Sequence, residues 1–220
     1  MNIAWILLYT LITHGLEIVI FFKVDGIGLT FERIFKAFLF KILLAFVFLM
    51  IGYMVGDSFL FYFMEPLYGI GLSFLLLRGL PKKLLFFYGL FPMILVNLFY
   101  RGVSYFVLPF LGQEIVDKDS NPIFLLMTIF VCFIVLVFLK WLDYDFTNLR
   151  KEILDKAFQK SLTRINWIMG GYYLVMQSLS FFEYEQGIQS TTVRHLILVF
   201  YLLFFMGIIK KLDTYLKDKL

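Results

Sequence analysis

The sequence predicts an all-α polytopic membrane protein of about seven transmembrane helices, with its amino terminus outside and its carboxyl terminus in the cytoplasm. Composition is the first reason. Of 220 residues 61% are hydrophobic, and the mean hydropathy is +0.88, which leaves too few polar residues to cover a water-soluble fold. The second reason is where the basic residues fall. Seventeen of the twenty Lys and Arg residues sit in four segments, Lys23 to Lys41, Arg78 to Lys83, Lys140 to Arg164 and Lys210 to Lys219; the gaps between hold only Arg101, Lys118 and Arg194. Cytoplasmic loops carry the excess of Lys and Arg, so this alternation assigns sides, and termini on opposite sides need an odd number of spans. The spans must be helices, because lipid offers no partner to an unpaired backbone amide and an open sheet leaves its edges unpaired.

A hydrocarbon core of about 30 Å takes about 20 apolar residues per helix. Seven stretches qualify: 3 to 22, 36 to 55, 59 to 77, 84 to 105, 122 to 142, 165 to 183 and 194 to 211. The first starts at Asn2 to Ile6 without a basic leader region and contains His14 and Glu17, so it reads as a retained span and not a cleaved signal peptide. The second is entered through Lys36 and Lys41. In the third, Pro66 is expected to interrupt helical hydrogen bonding beside Glu65, and in the fourth Pro92 is expected to kink the helix. The fifth holds the lone Cys132, which reads as a small packing residue and excludes a disulfide framework within the chain. Between spans five and six, about Asp143 to Arg164, the apolar residues Phe146, Leu149, Ile153, Leu154 and Phe158 alternate with charges. That pattern suits either a short amphipathic helix on the inner surface or an ordinary connector. After the seventh span, Leu212, Tyr215, Leu216 and Leu220 recur at helical spacing. Residues 1–211 are thus expected to form one membrane domain, and 212–220 the start of a cytoplasmic signalling helix.

Ionisable residues at membrane depth cost several kcal/mol unless they meet a partner or a cavity, so each marks a candidate site. His14 and Glu17 are three apart on one helical face and can serve either a site or a polar clasp between helices. Glu65 is expected at a depth similar to Asn97 and Arg101 on the antiparallel fourth span, where an ion pair between Glu65 and Arg101 would neutralise both charges. The segments assigned to the outside carry Asp57, Glu114, Asp117, Asp119, Glu183 and Glu185. With the aromatic residues Phe59, Phe61, Tyr62, Tyr105, Phe106, Phe181, Phe182 and Tyr184 beneath them, these acids suit a cationic amphipathic ligand, although positive-inside sorting and interfacial aromatic belts produce the same pattern.

Several classes are disfavoured. The net charge of +4 follows from loop sorting, so no nucleic-acid partner is expected. No glycine-rich phosphate loop, paired His and carboxylate metal motif or convincing nucleophile with its base is present, and the expectation is no cofactor, no metal and no enzymatic activity.

The strings Glu65-Pro66-Leu67-Tyr68, Phe87-Tyr88-Gly89-Leu90-Phe91-Pro92, Leu98-Phe99-Tyr100-Arg101 and Tyr172-Tyr173-Leu174-Val175-Met176-Gln177 resemble the membrane sensor region of ComD/BlpH-type histidine kinases. These are streptococcal receptors for secreted peptide pheromones, related more loosely to the AgrC receptors. The likeness covers most of the chain and is strongest over about 60 to 110 and 165 to 210; none of the strings is a catalytic signature. The resemblance implies a quorum-sensing receptor of the kind that governs competence or bacteriocin production through two-component signalling. It would be a homodimer in the bilayer that binds a small peptide outside and relays the event to a kinase region. The chain stops at Leu220 without a phosphoacceptor helix or ATP-binding domain, so contact with a response regulator would run only through a kinase region absent here. A second class also fits: a substrate-binding subunit of a small-molecule importer, with Glu65, Asn97, Arg101 and Gln177 around a pocket. A membrane scaffold whose polar residues serve packing alone is the third.

Overall fold

The structure, a computed structural model, describes residues 3–55, 63–111, 122–142 and 145–184, together with residues 199, 203 and 207. Among these every regular element is helical: α1 (Ile3–Asp25), α2 (Phe31–Val55), α3 (Met64–Leu76), α4 (Lys82–Leu111), α5 (Pro122–Leu142), a 3-10 turn (Phe146–Asn148), α6 (Leu149–Glu152) and α7 (Lys156–Tyr184). Two segments, Phe31–Met54 and Lys82–Val103, are long and apolar enough to cross a membrane, and the apolar stretches Met64–Leu76 and Leu125–Trp141 are shorter. The seventh predicted span and the 212–220 tail fall almost wholly outside the described residues.

The chain divides into two compact units, Met1–Gly170 and Gly171–Leu220. In the first, α3 and α4 form a hairpin, α2 packs on α3, and α1 packs on α4 and α5. Its core joins Ile18, Phe21 and Phe22 of α1 to Ala37 of α2, Tyr68 and Leu72 of α3, and Met93 of α4. The opposite face of α2 exposes Phe35, Leu39, Ile42, Leu43, Phe46 and Leu49. In the second unit the described backbone is the end of α7 and three isolated helical positions.

The α3 and α4 backbones touch at Gly69 and Gly89. A Cβ on Gly69 would run into the Gly89 carbonyl, and one on Gly89 would lie 2.5 Å from the Ile70 Cα. Small residues let two helix backbones approach closely, and the van der Waals contact so gained is one source of helix attraction. This crossing also fixes register: pairing Gly69 with Gly89 in an antiparallel hairpin sets Glu65 opposite Met93.

The two prolines singled out from the sequence both fall within helices. Pro66 is the third residue of α3, within the first turn, where no amide hydrogen is required by the helix. Pro92 lies inside α4, which spans Lys82–Leu111.

The connection after α5 also differs from a surface amphipathic helix. The Asp145 carboxylate accepts from Thr147 N at 2.9 Å and Thr147 Oγ1 at 2.7 Å; these bonds hold the exposed acid below the usual carboxylate range. The turn so formed buries Phe146 near the rings of Phe87 and Phe91, with centroids 6.4 and 5.2 Å away. Tyr88 donates its hydroxyl to the Phe146 carbonyl at 2.7 Å. Arg150 donates to the Asp25 carbonyl at the end of α1, and its guanidinium lies 5.4 Å from the Tyr88 ring centre. On the receiving side, α1 ends with Gly26 at φ 62° and Ile27 N donating to the Phe22 carbonyl at 3.0 Å, a left-handed cap that glycine adopts without strain. Asp155 then caps α7 by accepting from Ala157 N at 2.9 Å. That cap starts α7 nine residues before the predicted span at 165.

Candidate functional site

The most concentrated chemistry in the described residues is a group of ionisable side chains from three helices. Lys41 of α2 is only 3% exposed. Its ammonium donates to Glu17 Oε2 of α1 at 2.9 Å and lies 3.0 and 3.1 Å from the two carboxylate oxygens of Glu65 on α3. His14 Nδ1 lies 3.2 Å from the same Glu17 oxygen, one turn back along α1. The ammonium also sits 4.7 Å from the Tyr68 ring centre, and Tyr68 donates its hydroxyl to the Ala37 carbonyl one turn before Lys41, at 3.3 Å.

Local structure accounts for each placement. Glu65 stands in the first turn of α3, where the exposed amide ends of the helix favour a negative charge. Glu17 and His14 share a face because three residues nearly complete a helical turn. Lys41 is buried along its length, and its long apolar stem lets the ammonium reach acids on two neighbouring helices. Phe40, next to it, stacks on Tyr68 with centroids 5.9 Å apart and orients this stretch of α2 against α3.

The group contains two carboxylic acids, one ammonium and one imidazole. Two ionised acids exceed one ammonium by a single negative charge, so the set is balanced only when it takes up one further proton or cation. Lys41 supports both acids at once, and removing it would strand both.

Glu65 therefore has a cation, but it is Lys41 and not Arg101. In the register set by Gly69 and Gly89, Glu65 is level with Met93, eight residues from Arg101 and roughly 12 Å along the axis. Arg101 Nε instead donates to Asn97 Oδ1 at 3.0 Å on its own helix. Of the other residues singled out from the sequence, His14 and Glu17 join the group, as a hydrogen-bonded pair that also reaches a neighbouring helix. Gln177 and Glu183 lie within α7. Asp57, Glu114, Asp117, Asp119 and Glu185 lie outside the described residues. Lys41 is the member that the charge pattern conceals: counted as a cytoplasmic marker, it is in fact a buried partner. Cys132 is free and buried, as a packing residue would be. No group of three or more His, Cys, Asp or Glu suited to a metal ion occurs among the described residues.

These features define a class: a protein helical throughout its described residues, in which one helix long and apolar enough to cross a bilayer shares a buried ionic centre with two neighbouring helices. Beyond that class, no family, curated protein or solved structure is significantly similar to the chain.

Proposed function

We propose that this chain is the membrane module of a receptor for secreted peptides, crossing the bilayer seven times with its amino terminus outside and its carboxyl terminus in the cytoplasm. Its outer segments bind a cationic amphipathic peptide. Its last helix passes the signal, within a dimer, to a cytoplasmic histidine kinase region of a quorum-sensing, two-component type. The supporting observation is the depth of the Lys41 group. Glu17 lies eight residues from the end of α1, Lys41 ten residues from the start of α2 and Glu65 eleven residues from the end of α3. At 1.5 Å per residue these are about 12, 15 and 17 Å from the basic ends, near the middle of a core of roughly 30 Å.

A ligand drives a relay only if it binds two helix arrangements with different affinity. Two acids competing for one ammonium provide such arrangements: Lys41 shared between α1 and α3, or committed to one of them. A peptide that shifts α3 relative to α1 would change this sharing and carry the shift to the inner ends.

One observation favours the importer reading as well. The acid in excess of Lys41, with the Glu65 side chain 31% exposed, offers a coupling site for a proton or small cation, as ionisable groups near mid-membrane do in transporters.

Both readings are tested with the full chain in proteoliposomes and a fluorescent cationic amphipathic peptide. The receptor reading expects saturable binding, weakened several-fold at low salt in the Asp117→Lys, Glu185→Lys double variant and less so at high salt, since exposed charges are screened beyond about 8–10 Å. Binding that is unchanged at low salt removes the electrostatic part. Saturable uptake of a small solute, abolished by Glu65→Gln, replaces the receptor with the importer.

A further inference from the structure

A second site lies at the basic ends of α2 and α3, away from the Lys41 group. A cleft of about 380 Å³ is lined there by Glu32, Arg33, Lys36, Leu75, Leu76 and Arg78. Three cations and one acid leave a formal charge of +2. Glu32 is engaged by Lys36 at 2.5 Å. Arg33 spends one guanidinium nitrogen on the Gly28 carbonyl at 3.1 Å, leaving other donors of its planar fork for a second acceptor. Arg78 makes no hydrogen bond or ion pair among the described residues.

The cleft joins this charge to apolar surface. Leu75 and Leu76 form part of its wall. On the same turns of α2, Phe31 and Phe35 stack with centroids 6.3 Å apart and, with Leu39, expose an apolar stripe that runs from the cleft along the helix. A soluble anion would use only the cations. A molecule with a phosphate at one end and hydrocarbon at the other uses both.

We propose that this cleft binds an anionic phospholipid, with its phosphate among Arg33, Lys36 and Arg78 and its acyl chains along Phe31, Phe35 and Leu39. Basic pockets between helices on the cytoplasmic side hold lipid headgroups through such charge-assisted bonds. The proposal rests on the membrane reading above, and it gives the cleft a role in seating α2 and α3, the two helices that meet at Lys41 and Glu65.

The test is native mass spectrometry of the full chain in detergent micelles, with dioleoyl phosphatidylglycerol or dioleoyl phosphatidylcholine added at equal concentration. Phosphatidylglycerol should be retained preferentially, and Arg33→Gln with Arg78→Gln should abolish the preference, at about fivefold per charge. Arg78→Gln alone should give part of that loss. The charge-matched control Lys156→Gln with Lys160→Gln should keep the preference. Equal retention of the two lipids, or the same loss in the control, overturns the proposal. Removal of phosphatidylglycerol by excess inorganic phosphate also overturns it, by assigning the cleft to free phosphate. Sidedness plays no part in a micelle, so an error in the membrane topology leaves this result unaffected and is detected separately.

Discussion

Lys41→Met should destabilise this protein more than any other single substitution among its described residues, by about 3–5 kcal/mol, the cost of breaking a buried ion pair by removing one partner. The change keeps the apolar stem and removes only the ammonium, leaving Glu17 and Glu65 facing one another where water is scarce. Thermal unfolding in micelles measures it. The decisive comparison is the triple variant Lys41→Met, Glu17→Gln, Glu65→Gln, which should recover most of the loss, because replacing all the charges removes the desolvation cost together with the attraction. Glu17→Gln and Glu65→Gln should interact strongly with Lys41→Met in a mutant cycle, since all three share one ammonium. Strictly additive losses, or an unfolding temperature for Lys41→Met equal to the parent's, would contradict the shared geometry.

The second large effect is expected at the α3–α4 crossing. Gly89→Ala places a methyl group against the Ile70 backbone, and Gly69→Ala places one against the Gly89 carbonyl. Backbone cannot swing aside as a side-chain tip can, so the helices must separate. Each change should cost about 1–3 kcal/mol, the range for overpacking a well-filled interior. The double variant should cost less than the sum, because one separation relieves both contacts. Since Glu65 is one turn from Gly69, the same separation would move it from Lys41. Gly89→Ala should therefore reduce the coupling between Glu65 and Lys41 measured above, and an unchanged coupling would show that the crossing does not position the acid.

Hydropathy made the helices legible, and the structure shows where their ends and contacts escaped it. The fifth predicted span coincides with α5, Pro122–Leu142, because apolar residues and loop residues change abruptly at both ends. Hydropathy starts the sixth at 165, whereas α7 begins at Lys156; its first nine residues are amphipathic and polar, so only the Asp155 cap marks the start. Register was the harder matter. Depth alone pairs Glu65 with Arg101, but the Gly69 and Gly89 contact decides which residues are level with each other, and glycines carry no hydropathic signal of pairing. In the sequence Lys41 stands with Lys23, Arg33 and Lys36 in one basic cluster. A depth count separates them: Lys41 is ten residues inside α2, at nearly the depth of Glu17 and Glu65, and this agreement in depth is the sequence signal that identifies the group. The Phe146 turn was hidden for another reason. Its affinity for the Phe87 and Phe91 rings depends on the tertiary arrangement of α4 and not on local periodicity.

Reception of a secreted peptide depends first on sidedness, because the acidic segments can receive it only if they lie outside, and the basic ends only then face the cytoplasm. Single cysteines at Asp117 and at Lys160, each introduced with Cys132→Ser, report this directly through a membrane-impermeant maleimide applied to intact cells. Asp117→Cys should be labelled without permeabilisation and Lys160→Cys only after it. Labelling of both positions from the same side, or of Lys160→Cys alone in intact cells, would contradict the receptor topology.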